Sequence, residues 1–98
     1  MLFDCDHFKP INDTYGHHIG DEVIRSIAVA LSGVLRFEEK LYRLGGDEFA
    51  CLLSEATIAD GMKVAQRAEQ AVATYDFKSL GVQEPIRISI DLAHFCGT

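Results

Sequence analysis

Cations are scarce in this 98-residue chain: nine Lys and Arg stand against fifteen Asp and Glu, a formal net charge of −6. That balance, with a pI near 5.0, excludes non-specific attraction to nucleic acid or to an anionic membrane surface. A nucleotide ligand would need a local remedy: metal ions, backbone N–H groups or a few placed cations. Cysteine is sparse as well. Cys5, Cys51 and Cys96 form no CxxC pair, so neither a zinc site nor a disulfide framework is indicated, and buried reduced thiols are expected. No run of about 18 apolar residues exists that could span a bilayer, and Met1-Leu2-Phe3-Asp4 lacks the basic region and apolar stretch of a signal peptide. A cytoplasmic location is the expectation, alone or as the cytoplasmic portion of a larger, even membrane-anchored, protein. Linkers rich in Pro, Gly or Ser and internal repeats are missing too, so one domain is expected over residues 1–98.

What is present is 48% apolar residues, enough for one small core. Leu2 to Asp6 reads as a strand, and Phe8 to Tyr15 as a turn or short helix with its break marked by Gly16 and Gly20. From Asp21 to about Arg36, Val23, Ile24, Ile27, Ala28, Leu31, Val34 and Leu35 follow helical spacing. Leu41 to Leu44 and Phe49 to Leu53 flank Gly45-Gly46-Asp47-Glu48, and a Gly-Gly pair that tolerates positive φ favours a tight hairpin there. Thr57 offers an N-cap to a helix using Ile58, Met62, Ala65, Ala68 and Val72. Ile86, Ile88, Ile90 and Leu92 alternate with Arg87, Ser89, Asp91 and Ala93, the period of a half-buried strand. The order β-α-α-β-β-α-β predicts an α+β, ferredoxin-like antiparallel sheet with helices on one face, a core like that of nucleotide cyclases and polymerase palms.

Two features carry chemistry. Asp4-Cys5-Asp6 ends an otherwise apolar strand, where carboxylates are costly to bury unless paired with cations; the plainer reading is a polar strand end that caps the next helix. Asp47-Glu48 lies at the hairpin tip, where acidic residues are also common in ordinary exposed turns. If the two segments are neighbours, their carboxylates converge at one sheet edge and call for a divalent cation. Oxygen-only ligation suits Mg²⁺ or Mn²⁺.

The stretch Asp4-Cys5-Asp6-His7-Phe8-Lys9-Pro10-Ile11-Asn12-Asp13-Thr14-Tyr15-Gly16-His17 resembles D-x-D-x-F-K-x-x-N-D-x-x-G-H, the opening motif of the GGDEF diguanylate cyclase family. Gly20-Asp21 matches the following G-D, Arg43-Leu44-Gly45-Gly46-Asp47-Glu48-Phe49 matches R-x-G-G-D-E-F, and Ser89-Ile90 is similar to the family's S-I-G strand. The resemblance implies condensation of two GTP into cyclic di-GMP with release of pyrophosphate, in bacterial second-messenger signalling. It implies Mg²⁺ on Asp4, Asp47 and the Cys5 backbone carbonyl, with Glu48 a further ligand or a helper in deprotonation, and Asp47 or Glu48 as general base. Backbone N–H groups around His7 and Phe8, with Lys9, would hold the β- and γ-phosphates. Asn12 and Asp21 would read guanine, whose donors and acceptors adenine does not reproduce; without the family, Asn12 is a turn residue and Asp21 complements a helix N-terminus. His17 would support that loop, and Gly45 and Gly46 serve both the turn and close approach of the nucleotide. Two bonds require a second copy of the domain facing the first, brought together by a sensory or receiver domain elsewhere in the protein.

The chain departs from the family at several points. The R-x-x-D motif of product inhibition is Arg36-Phe37-Glu38-Glu39 here, and the longer Glu39 side chain predicts weakened or absent feedback binding. Asp91 stands where the family has Gly. The strand at Leu2 starts without a preceding cap, and Phe95-Cys96-Gly97-Thr98 follows directly on a strand. The chain therefore reads as a partial domain without the family's N- and C-terminal helices, and weak GTP affinity with little turnover is expected of it alone. Two other classes fit less well. A catalytically inactive GTP- or cyclic di-GMP-binding regulatory module has no need of intact Asp4, Asp47 and Glu48, and an adenylyl cyclase or palm-like enzyme does not account for the Asn12 and Asp21 pair.

Overall fold

The computed structural model describes residues 1–35, 40–52 and 58–92. Strand β1 (Leu2–Cys5) alternates cleanly, turning Phe3 and Cys5 into the core and Leu2 and Asp4 outward. It stops one residue short of the expected Asp6, because the chain turns through Asp6 and His7, and His7 adopts a left-handed φ of 56°. Helix α1 (Phe8–Tyr15) follows and closes at Gly16, whose N–H donates to the Asn12 carbonyl at 2.8 Å.

Helix α2 (His17–Val34) begins at once, four residues ahead of the expected Asp21, so Gly16 breaks the chain and Gly20 does not. Gly20 is buried inside α2, and a glycine there costs a helix about 1 kcal/mol against alanine. Close packing of α1 offsets this, since Phe8 and Asn12 rest directly on it. Asp21 accordingly lies beyond the first turn of α2, and complementing the helix N-terminus is not its role. Val23, Ile24, Ile27 and Leu31 are buried as expected, whereas Ala28, Val34 and Leu35 are half-buried and Ala30, not expected inside, is buried.

Strands β2 (Lys40–Gly45) and β3 (Glu48–Leu52) form the expected hairpin, with Gly45 at φ 145° and Gly46 at φ 46°. A register shift between Arg43 and Gly45 bends its tip. Helix α3 (Ile58–Thr74) buries Gly61, Val64, Ala68 and Val72, while Ile58 and Met62 are 58% and 54% exposed. The sequence pattern put Ile58 and Met62 on the core side; the helix instead turns its smaller residues inward, which lets it lie close to α2. The expected cap Thr57 and the strand end Leu53 lie outside the described residues, as do Arg36, Glu39 and Cys96. A short 3₁₀ turn (Lys78–Leu80) leads to β4 (Ile88–Asp91), with Ile86 and Ile88 buried and Leu92, expected inside, exposed.

The sheet order is β2-β3-β1-β4, antiparallel throughout, which is the ferredoxin-like arrangement predicted. One core joins Phe3, Cys5, Phe49, Cys51 and Ile88 of the sheet to Ile24, Ile27 and Leu31 of α2 and Ala68 and Val72 of α3. Each large apolar side chain so buried contributes roughly 1.5–3 kcal/mol. Cys5 and Cys51 are buried, as expected. The other sheet face carries Leu2, Asp4, Glu48, Ser89 and Asp91, all exposed. None of the described helices is long and apolar enough to cross a membrane.

Candidate active site

Strand alternation fixes the site. Because Phe3 and Cys5 must face the core, Asp4 faces outward, and its partner across the β1–β3 ladder is Glu48. The hairpin tip is tied to the end of β1 by the Cys5 N–H, which donates to the Asp47 carbonyl at 3.2 Å. Residues 4 and 47, remote in sequence, are thereby brought into contact. Arg43 braces the tip from within, its guanidinium Nη2 donating to the Gly46 carbonyl at 2.8 Å.

Electrostatics records the convergence. The Asp4 carboxyl is pushed from 3.8 up to about 6, first by a hydrogen bond with the Asp47 side chain, then by desolvation, then by the negative charges of Asp47, Glu48 and Asp6. Burial raises the Cys5 thiol to about 12, helped by Asp47, Asp6 and Asp4. That thiol is therefore inert as a nucleophile, and the chemistry of Cys5 is confined to its backbone. Asp6 is held on the outer face by the Ser89 hydroxyl, which donates to its Oδ1. A hollow of about 300 Å³ opens beside Asp4 and Glu48 and is closed by Leu2, Ser89 and Asp91.

The donor set suits a hard cation. Among the described residues no three His, Cys, Asp or Glu side chains form a ligating group. Asp4 and Asp47 do touch, and Mg²⁺ is typically held by one or two carboxylates, with water and substrate phosphates completing its shell. A cation between these two carboxylates would relieve the repulsion that raises Asp4.

The remaining predicted residues that the structure describes lie at the start of α1, at the α1–α2 corner and at the hairpin tip. His7 precedes α1, which has no side-chain cap; Pro10 has no N–H and the Ile11 N–H donates to the His7 carbonyl at 3.3 Å, so in the first turn the Phe8 and Lys9 N–H groups are the ones without an intrahelical partner. Lys9 is exposed in that turn. About one turn further along α1, Asn12 Nδ2 donates to His17 Nδ1 at 3.0 Å, and exposed Asp21 follows Gly20, against which Asn12 packs. Gly45 and Gly46 are exposed, with open space where a side chain would stand. Arg36 and Glu39, the predicted inhibitory pair, lie outside the described residues. Sequence reasoning assigned no role to Arg43 or to the Asp6–Ser89 bond. Arg43 opens the matched R-x-G-G-D-E-F run, a signal that could have found it, whereas Asp6 and Ser89 meet only through the sheet.

The chain is similar to known proteins along nearly its whole length. A family described as "Diguanylate cyclase, GGDEF domain" matches residues 1–97. The response regulator PleD of Caulobacter vibrioides is 36% identical over 92 residues, covering 94% of this chain and 20% of PleD. Diguanylate cyclase DosC of Escherichia coli is 35% identical over 98 residues, covering 99% of this chain and 21% of DosC. The chain thus spans about a fifth of the length of these curated relatives. Among solved structures, diguanylate cyclase SiaD of Pseudomonas aeruginosa, in complex with its activator SiaC, superposes with a TM-score of 0.81 at 34% identity, covering 90% of this chain and 34% of SiaD.

Proposed function

This chain belongs to the GGDEF diguanylate cyclase family, and on that premise we propose that the domain it forms condenses two GTP into cyclic di-GMP with release of pyrophosphate. The observation that carries the reading is the contact of Asp4 with Asp47 at the hairpin tip, where a hydrogen bond with the Asp47 side chain, then desolvation and the neighbouring negative charges, raise the Asp4 carboxyl to about 6. Asp4, Asp47 and the Cys5 carbonyl would hold Mg²⁺ or Mn²⁺, with Glu48 beside them. Such an ion, when bound, neutralises triphosphate charge and makes the ribose 3′-hydroxyl more acidic.

The chain's own residues supply the rest. The backbone N–H groups around His7 and Phe8 and the Lys9 ammonium hold the β- and γ-phosphates. Asn12 and Asp21 bind the guanine edge, and Gly45 and Gly46 keep the hairpin free of side chains where the nucleotide passes. Asp47 or Glu48 accepts the 3′-hydroxyl proton. The freed oxygen attacks the α-phosphorus in line, the bond between that phosphorus and the bridging oxygen to the β-phosphate breaks, and pyrophosphate leaves. Each domain presents one GTP, so the two bonds of the product need a second copy facing the first, arranged by a regulatory domain.

Incubation of the intact protein that carries this domain with GTP and Mg²⁺, followed by chromatography, tests the reading, since little turnover is expected of these 98 residues alone. Cyclic di-GMP is expected from the wild type. Asp47→Asn should lower the rate by about 10²-fold or more, the range of general acid–base contributions. Binding of GTP without any product would overturn the assignment in favour of a regulatory module.

A further inference from the structure

The helix α1–α2 corner contains an arrangement that the proposed chemistry does not by itself require. Helix α2 starts immediately after Gly16, which sets His17 and Gly20 three residues apart on one face of α2. That face meets α1 at Phe8 and Asn12, themselves four residues apart. The Asn12 amide is gripped from two sides. Its Nδ2 donates to His17 Nδ1 at 3.0 Å, and its Oδ1 end lies over Gly20, where a methyl group would stand 2.2 Å from Oδ1, 3.2 Å from Cγ and 3.4 Å from Phe8 Cζ.

We infer that His17 and Gly20 are positioning residues that set both the place and the polarity of the Asn12 amide, and so determine the preference for guanine. The inference rests on the reading above that Asn12 faces the base. An amide left to rotate could present either its oxygen or its nitrogen to a ligand. With Nδ2 committed to the ring nitrogen of His17, the oxygen remains as acceptor. Guanine offers N1–H and N2–H donors on its Watson–Crick edge, whereas adenine offers an acceptor at N1, so a fixed acceptor discriminates between them. Gly20 makes room for this pose. Any side chain at position 20 forces the flexible end of Asn12 aside, and the displaced atom is the one that reads the base.

The test is binding and turnover of GTP and ATP by the intact protein that carries this domain, with His17→Ala, His17→Gln or Gly20→Ala. H17A and G20A should each weaken GTP binding about tenfold, the loss appearing in KM, with the GTP-over-ATP ratio falling in step. H17Q, whose side-chain oxygen can accept from Asn12 Nδ2, should recover to within about threefold of wild type. If H17A and G20A keep the wild-type GTP affinity and preference, the inference is overturned. A wild-type chain that does not prefer GTP overturns the underlying base-reading assignment instead. Thermal unfolding guards against a G20A variant that folds poorly. The N12A/G20A pair should melt above G20A, because the clash is removed and alanine favours the helix, and a pair that melts no higher also counts against the inference.

Discussion

Asp4 and Asp47 share a proton more comfortably than they bear two negative charges, and this gives the metal-free protein a pH signature. The folded Asp4 carboxyl lies near 6 against 3.8 for the free group. A folded-state value raised above the unfolded one contributes stability that is fully present below the unfolded value and is lost as pH rises through the folded one. In chelator, the melting temperature should therefore fall between about pH 4 and pH 6.5 by the Asp4 contribution. Asp4→Asn should flatten that slope and melt above wild type at pH 7, while Mg²⁺ should raise the melting point of wild type and not of the variant. A melting curve independent of both pH and Mg²⁺ across that window would contradict the assignment of Asp4. The outward direction of Asp4 is legible in Leu2-Phe3-Asp4-Cys5, because alternation alone separates it from Phe3 and Cys5. Its raised value is not, since that depends on a residue more than forty positions away.

At the scale of elements, the hairpin illustrates what glycine contributes. Gly46 sits at φ 46° and Gly45 at φ 145°, backbone regions that an L side chain resists by about 1–2 kcal/mol in the left-handed case. Gly46→Ala should cost about 1–2 kcal/mol in chemical denaturation, and reduce cyclic di-GMP synthesis more than stability, because the Cys5–Asp47 tie and the Arg43–Gly46 brace both depend on the tip conformation. Normal synthesis by a folded G46A protein would show that the tip geometry is not needed. Turn chemistry made this hairpin visible in the sequence. The helices were visible in kind and less so in placement. The α2 start was obscured because glycine ordinarily interrupts helices, and only the contact with Phe8 and Asn12 explains Gly20. In α3 two apolar stripes compete, one through Ile58 and Met62 and one through Val64, Ala68 and Val72, and period alone does not choose between them.

For the whole molecule, the net charge of −6 leaves phosphate binding to local groups, and those groups all lie where β1 ends, α1 begins and the hairpin turns. On the proposed reading each site takes one GTP, which is why the reaction needs two domains. The rate of cyclic di-GMP formation per domain should rise with protein concentration where the protein is mostly monomeric, and level off once dimers dominate. A rate per domain independent of concentration across a monomer range established by sedimentation would argue that a single domain suffices.

By itself the sequence determined the element types, the antiparallel α+β class and the family, because periodicity, turn chemistry and motif spacing are local properties. Tertiary structure alone decided which residues meet: Glu48 opposite Asp4, Asp47 against Asp4, Ser89 on Asp6, and Asn12 between His17 and Gly20. Register and helix packing are set by burial across the whole core, and no window of neighbouring residues contains that information.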